Sequence, residues 1–553
     1  MKEKLSILIQ KPIQTPNCNL YQFMVRRPRF NACNIVCRCH EQELSFLQLQ
    51  TEAERYAKAF AGIGVKTGDI VPVCTEPSIE AMIAFFALNR LGAVSTFLNS
   101  TAGMDEIANS VNLYSSNLLL VSAQCAQRLN KDEFQKHCCV QDMYVLSSKP
   151  TQIACGFPQF SEPLATYADL PVELDVCGKD APAHISYTSG TTGLPKAILL
   201  SNENIMAEMI SLLKVTKMQL GPKGNLLQVV PFNYPYGFII SVLLPVAAGK
   251  TAALSPKLTL KNIGDYLWMY KPRYINGIPS FYKSMIADPT ICNMDLSFIS
   301  FPVTGGDTLD NKTEHEINLF LHSHGSEGKI SNGCGNGEGA GSLLNPASVL
   351  HKYVTGSCGR PIPGLSVKLI DNETGQPVPL GRSGRFCFSG TNVMIEYYHD
   401  PEATEQAFQY DEDGRKWFYT DTFMHMDEKN WMFMDGRERR FFITFDELGS
   451  PYKVYCDYVQ KVILESIPEI VDCAVVQRAD EIRSLVPVAF VCLYDQKKWN
   501  DQFALDLQKK CQQKLQSCAV PVEFILIKEL PLTVAGKIDY RALEREAQKE
   551  LEG

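Results

Sequence analysis

The chain of 553 residues has no apolar run long enough to cross a bilayer. Its longest, residues 238–249, is interrupted by Pro245 and followed by Lys250. Nor has it an excess of positive charge: 53 Lys and Arg stand against 61 Asp and Glu, a net charge of −8. The basic footprint that nucleic-acid binding requires is therefore missing, and an anionic ligand needs only local positive charge. The 19 cysteines show no standard zinc spacing. The densest group is Cys33, Cys37, Cys39 and His40, where the alternation of Ile35, Cys37 and Cys39 reads as a strand with buried thiols. Met1-Lys2-Glu3-Lys4-Leu5 leads into no apolar core of signal-peptide length. The expectation is a cytoplasmic protein whose thiols stay reduced. Low-complexity tracts and short internal repeats are lacking as well.

What is present is an α/β rhythm. The length predicts two or more domains. Helical spacing over 47–63 stops at Gly64, and a second helix over 78–91 has Ser78 as its cap and Gly92 as its stop. Strand patterns at 69–74, 93–97, 118–121 and 143–146 interleave with them, which predicts a parallel sheet with right-handed crossovers. The rhythm returns as helices over 204–214, 239–248 and 261–269 and strands over 227–231, 273–276 and 300–304. From residue 356 short strands between turn signals predict a β-rich module. Residues 437–553 carry a mixed pattern of a small α+β domain, with Asp435-Gly436-Arg437 as the junction.

One polar stretch stands out, Tyr187-Thr188-Ser189-Gly190-Thr191-Thr192-Gly193-Leu194-Pro195-Lys196. Apolar residues before and after it predict strand, tight turn, strand. Glycines let the backbone approach an anion, and successive N–H groups in such a turn form an anion-binding hollow. Hydroxyls donate to phosphate oxygens and a lysine adds a mobile charge. The Walker pattern is excluded, because Lys196 follows Pro195 and no Ser or Thr comes after it. Clusters of this composition are ordinarily turns, but these ten consecutive residues resemble the phosphate loop of the adenylate-forming superfamily. That superfamily comprises acyl- and aryl-CoA synthetases, peptide-synthetase adenylation domains and luciferases.

Further motifs follow in the order the resemblance implies. Asn332-Gly333-Cys334-Gly335-Asn336-Gly337-Glu338 resembles the family's Asn-Gly-Tyr-Gly-x-Thr-Glu, with Cys334 in place of the aromatic residue and Gly337 in place of threonine. Thr304-Gly305-Gly306-Asp307 resembles the segment lining the adenine pocket. Gly356-Ser357-Cys358-Gly359-Arg360-Pro361 resembles a structural motif. Tyr419-Thr420-Asp421-Thr422 stands before Asp435-Gly436-Arg437, where the family has Thr-Gly-Asp and then Gly-Arg. The glycine is missing, and a slip of one residue restores Asp421 to the ribose. Pro531-Leu532-Thr533-Val534-Ala535-Gly536-Lys537-Ile538-Asp539 resembles the catalytic-lysine motif.

The resemblance is to acyl-CoA synthetases of the AMP-forming type, from about residue 43 to 545. It implies a large N-terminal domain, 1–436, of two α/β subdomains plus the β-rich module, and a small mobile α+β domain, 437–553. It implies ATP, Mg2+ and coenzyme A as cofactors and catalytic roles for Lys537, Glu338 and Thr188, the last two also on the metal. Thr188, Ser189, Gly190, Thr191, Thr192, Gly193 and Lys196 would cradle the phosphates. Gly306, Gly333, Cys334 and Gly335 would line the adenine pocket. Asp421 and Arg437 would hold the ribose, Lys537 would bridge carboxylate and α-phosphate, and Arg439 would be the hinge. Tyr234 and Gly237 would face the acid, in a stretch with Phe232, Phe238 and Ile239 but no carboxylate to hold an amino group. A fatty or other apolar acyl or aryl acid fits best, as in fatty acid metabolism, with coenzyme A as acceptor. Two alternatives stay open: loading of an acyl carrier protein, and a non-catalytic nucleotide- or acyl-binding relative, which the changes at Cys334, Gly337 and before Asp421 would suit.

Overall fold

A computed structural model describes residues 4–25, 31–129, 131–138, 140–147, 156–188, 196–216, 224–259, 261–306, 309, 311–346, 353–437, 440–446, 449–467, 469–531 and 538–549. Two compact units result. One consists of Met1–Thr188 and Ala197–Gly436, and Arg437–Gly553 belongs to the other.

The first unit is built on two seven-stranded sheets and a six-stranded one. In the first sheet the order is Glu396–Tyr397, Lys196–Ser201, Pro182–Thr188, Val94–Leu98, Ile70–Cys74, Leu118–Val121, Asp142–Val145. The last five pair in parallel, as β-helix-β crossovers dictate. The second sheet runs Ser331–Asn332, Phe301–Thr304, Tyr274–Gly277, Asn225–Gln228, Thr251–Leu254, Ile35–Cys39, Gln42–Ser45. It is parallel except for the last hairpin. These are the two expected α/β layers. Cys37 is buried on its strand, and no cluster of metal-ligating side chains occurs among the described residues.

Local chemistry explains the helices. Phe46–Gly62 starts with a capping box, Ser45 and Gln48 exchanging hydrogen bonds with each other's backbone. Ile79–Arg90 starts at Ser78, whose hydroxyl accepts from Ala81 N–H, and is buried around its whole circumference. Even Arg90 is buried, against Asp175 at 3.3 Å. Residues 236–243 differ from expectation. They wind as a wide π-helix, Tyr236–Leu243, continued by the short α-helix Leu244–Ala247. Ser241 reinforces the wide turn by donating to the Tyr236 carbonyl at 2.8 Å.

The β-rich module forms the six-stranded antiparallel sheet. It contains Ser366–Ile370, Gly384–Ser389, Lys416–Met426, Phe408–Tyr410 and Met432–Arg437. The N-terminal strand Ile7–Leu8 adds to its edge. The second unit is a three-stranded sheet, Ile470–Asp480, Ser484–Leu493 and Glu523–Leu526, with the hairpin Phe441–Phe445 and Pro451–Tyr455. Its helices are Cys456–Ser466, Asp501–Gln512 and Tyr540–Lys549. No helix among the described residues is long and apolar enough to cross a membrane.

His184 lies at the heart of the first sheet. It is fully buried, with Nδ1 2.9 Å from the Ser95 hydroxyl and its ring between Phe85, Phe97 and Phe238. Burial lowers its pKa from 6.5 to about 3. The unfolded chain thus takes up a proton below pH 6.5 that the folded chain refuses, so stability falls as pH drops from 6.5 toward 3. A His184→Leu variant should lack this component. In urea unfolding from pH 6.5 to 4.5, the wild type should lose up to about 1.4 kcal/mol per pH unit more than the variant. Parallel pH profiles would contradict a neutral buried imidazole.

Candidate active site

The strands Pro182–Thr188 and Lys196–Ser201 flank the polar loop, as the sequence predicts. Ser189, Gly190, Thr191, Thr192 and Gly193 lie outside the described residues; Thr188 ends the first strand and half-buried Lys196 begins the second. Just before the loop, Tyr187 is anchored by the Tyr114 hydroxyl, 2.6 Å from its own.

The glycine-rich segment follows the strand Ser331–Asn332, which pairs Asn332 with Thr304. Its glycines answer to close packing. A Cβ on Gly335 would overlap the Gly341 carbonyl, and one on Gly305 would lie 3.3 Å from the Gly333 carbonyl oxygen. Gly306 has φ +80°, a conformation that favours glycine. The segment folds back on itself: Leu343 and Leu344 N–H both donate to the Cys334 carbonyl, at 2.9 and 2.8 Å. Two buried polar atoms here, Thr304 Oγ1 and Asn332 Oδ1, have no hydrogen-bond partner among the described residues. Buried polar groups ordinarily find one. A heteroaromatic base with donor and acceptor edges, set against Gly305, Gly306 and Gly333, would supply it.

Glu338 comes next and is only 8% exposed. The Tyr397 hydroxyl donates to its Oε1 at 2.6 Å, and Met394 N–H donates to its backbone carbonyl at 2.7 Å. Tyr397 is delivered by the strand Glu396–Tyr397, which pairs antiparallel with Ile198 and Leu199 on the strand leaving the polar loop. Burial first, then Glu338, then Asp421 hold the Tyr397 hydroxyl firmly protonated. Glu338, Tyr397 and Asp421 thus share one neighbourhood.

Asp421 reaches it through an irregularity. Gly384–Ser389 pairs with Lys416–Met426, but the register shifts between Arg385↔Phe423 and Cys387↔Tyr419. Residues 420–422 face the single residue 386. The Thr420 hydroxyl stabilises this bulge, donating to the Phe386 carbonyl at 2.7 Å and accepting from Thr422 N–H at 3.0 Å. A bulge re-aims a side chain without requiring glycine. Arg437 ends the strand Met432–Arg437, while Arg439 and Lys537 lie outside the described residues.

The stretch expected to face the acid, Tyr234 to Gly237, is tight. A Cβ on Gly237 would overlap the carbonyl oxygens of Val230 and Pro231, and Tyr234 carbonyl accepts from Gly237 N–H at 2.9 Å. Tyr236 is the residue that connects this stretch to the glycine segment. Its hydroxyl donates to the Gly277 carbonyl at 3.2 Å, and its ring lies 3.6 Å from where a Gly305 Cβ would be. Tyr236 and Tyr397 both escape motif reading. Tyr236 was legible only as part of an aromatic stretch, and Tyr397 carries no local signal.

A carboxylate this dry suits a hard divalent cation, which would offset the cost of its burial. The chemistry of this carboxylate therefore fits Mg2+, which Glu338 would hold.

The AMP-binding enzyme family matches residues 24–398, and the AMP-binding enzyme C-terminal domain matches residues 462–537. A 4-coumarate–CoA ligase of Arabidopsis thaliana is 26% identical over 507 residues, covering 90% of this chain and 85% of the relative. An indoleacetate–CoA ligase of Aromatoleum aromaticum is 26% identical over 505 residues, covering 91% and 92%. Among solved structures, an anthranilate CoA ligase in complex with anthranoyl-AMP superposes with TM-score 0.69 at 20% identity, covering 98% of this chain and 99% of that one. An amide bond synthetase of Marinactinospora thermotolerans superposes with TM-score 0.76 at 20% identity, covering 96% and 100%. These superpositions establish the fold. With its larger match spanning residues 24–398, the chain belongs to the AMP-binding enzyme family.

Proposed function

We propose that the chain is an AMP-forming acid–thiol ligase acting on an aryl or arylalkenoic acid. In the first step a carboxylate oxygen attacks the α-phosphorus of ATP and pyrophosphate leaves. In the second the coenzyme A thiol attacks the acyl carbonyl, and AMP leaves with the bridging oxygen. The observation that carries this reading is the buried Glu338, clamped by Tyr397 beside Asp421, in a chain of this family.

Roles follow from chemistry. Thr188, Lys196 and the loop between them would hold the β- and γ-phosphates, with hydroxyls and backbone N–H groups as donors. Thr304, Asn332 and the glycines around them would take the base, and Cys334 offers it a small polarisable face instead of a ring. Asp421 would accept from both ribose hydroxyls, and Arg437 would add a fixed charge. Mg2+, which Glu338 and Thr188 would hold, would neutralise charge on the phosphates. Lys537 would bring carboxylate and α-phosphate together and stabilise the charge that develops there. Residues 1–436 would bind ATP and acid. Residues 437–553 would carry Lys537 and turn about Arg439 between the two steps.

Two observations favour an aryl acid. The relatives are named for 4-coumarate and indoleacetate. Tyr236, with its ring beside Gly305, sets an aromatic face on the stretch expected to face the acid, while Phe232 and Phe238 pack into the core behind it against Phe97 and His184. Its 19 cysteines suit a reducing cytoplasm.

Pyrophosphate release from Mg·ATP should depend on the acid offered. Across 4-coumarate, indoleacetate, benzoate and saturated fatty acids, kcat/KM for an aryl acid should exceed that for any fatty acid at least about tenfold, or about 1.4 kcal/mol. Thioester should form when coenzyme A is added. A fatty acid preference would overturn the substrate class. Release without thioester would point to a carrier protein as acceptor, and no release with any acid to a non-catalytic relative.

Lys537→Ala should slow adenylation by roughly 100-fold or more, the scale of a lost charge-stabilising group. Thioester formation from supplied acyl adenylate should be largely spared. Equal loss in both half-reactions would contradict the role given to Lys537.

A further inference from the structure

A second carboxylate lies beneath the glycine-rich segment, untouched by the chemistry above. Glu208, on the helix Asn202–Thr216, is fully buried. Its two oxygens serve two different segments. Oε1 accepts from Ser342 N–H at 2.9 Å, and Oε2 accepts from the Asn392 side-chain amide at 3.0 Å. The same Asn392 amide donates to the Gly339 carbonyl at 3.0 Å. Glu338 is therefore bracketed. Its own carbonyl is held by Met394 N–H, and the next residues are tied through Asn392 and Glu208 to the helix.

The bracket holds backbone that needs holding. Ala340 has φ +61° and Gly341 φ +133°. A non-glycine residue in the left-handed region is strained, because its Cβ crowds the following carbonyl oxygen. Such conformations persist only where surrounding contacts over-determine them. Burial pushes the Glu208 carboxyl up to about 8, with the Ser342 and Asn392 hydrogen bonds acting in the opposite sense. Burying an acid here is costly, and a glutamine of the same shape would avoid that cost. A glutamine, however, would turn an N–H against one of two donors. A carboxyl group presents a separate oxygen to each donor, which an amide cannot.

We propose that Glu208 is a positioning residue of the adenylation reaction: it fixes residues 339–342 and Asn392 so that the Glu338 carboxylate is pre-set for its divalent cation. Both of its oxygens are engaged by Ser342 N–H and the Asn392 amide, so it acts through those residues. The inference rests on the metal-binding role proposed for Glu338.

Glu208→Gln tests it with two readouts on the full chain. Hydrogen–deuterium exchange of peptides covering 333–344 should quicken roughly tenfold, the equivalent of one lost hydrogen bond near 1.4 kcal/mol. The Mg2+ concentration giving half-maximal pyrophosphate release should rise at least about fivefold, while the rate at saturating Mg2+ stays within about twofold, the signature of lost pre-organisation in binding. Asn392→Ala, which removes the shared amide, should give the same pattern if Glu208→Gln fails to fold. Unchanged exchange and unchanged Mg2+ requirement in a folded variant would overturn the proposal. Collapse of both variants would make Glu208 a fold-supporting residue only and overturn it as well. A wild type that releases no pyrophosphate with any acid would instead contradict the proposed function, and the exchange arm would still report on the bracket.

Discussion

The hydroxyl of Tyr397 and the carboxylate of Glu338 meet at 2.6 Å in a nearly dry setting, and the site is organised around that contact. A charged group removed from water must be hydrogen-bonded, paired or metal-bound. Tyr397 satisfies one oxygen and fixes the plane of the carboxylate. It can do so because a two-residue strand lies antiparallel on the strand leaving the phosphate loop. The loop's exit strand, the glycine-rich segment and the β-rich sheet bearing Asp421 are thereby brought to a common point. Remove the contact, and Glu338 loses the hydrogen bond that Tyr397 supplies to its Oε1.

Backbone proximity is the second constraint. Gly335, Gly305 and Gly237 each stand where a Cβ would meet a carbonyl oxygen. A phosphate- and base-binding site made of backbone must pack strands and turns closer than side chains allow, so glycine is imposed by distance as much as by φ. The segment carrying Asp421 solves its own problem differently. Thr420 builds the bulge that presents Asp421, spending a hydroxyl where glycine would have supplied conformational freedom.

Much of this was legible in order and spacing. The helices over 47–63 and 78–91 and their flanking strands lie within a residue or two of the expected bounds, because caps and 3.6-residue periodicity are local signals. The α/β layers, the β-rich module and the small α+β domain all follow from such patterns. The residues that organise the site do not. Tyr397 and Glu208 act across 59 and 134 residues of sequence, and no local rule couples them to Glu338 or Ser342. The wide helix at Tyr236–Leu243 also escaped, since its apolar run fits several windings and the Ser241 bond to the Tyr236 carbonyl exists only in the folded chain. The missing glycine before Asp421 could be read as a one-residue slip, but the bulge that accommodates it depends on the partner strand.

The fold, the family and the dry carboxylate converge on one chemical event, attack of a carboxylate oxygen on the α-phosphorus of ATP. Oxygen labelling follows that bond directly. With 4-coumarate carrying 18O in its carboxylate, and with ATP, Mg2+ and coenzyme A, the AMP formed should carry one 18O atom, retained when the thiol displaces it from the acyl group. Unlabelled AMP, or 18O in inorganic phosphate, would contradict an acyl adenylate and with it the account given of Glu338, Tyr397 and Asp421.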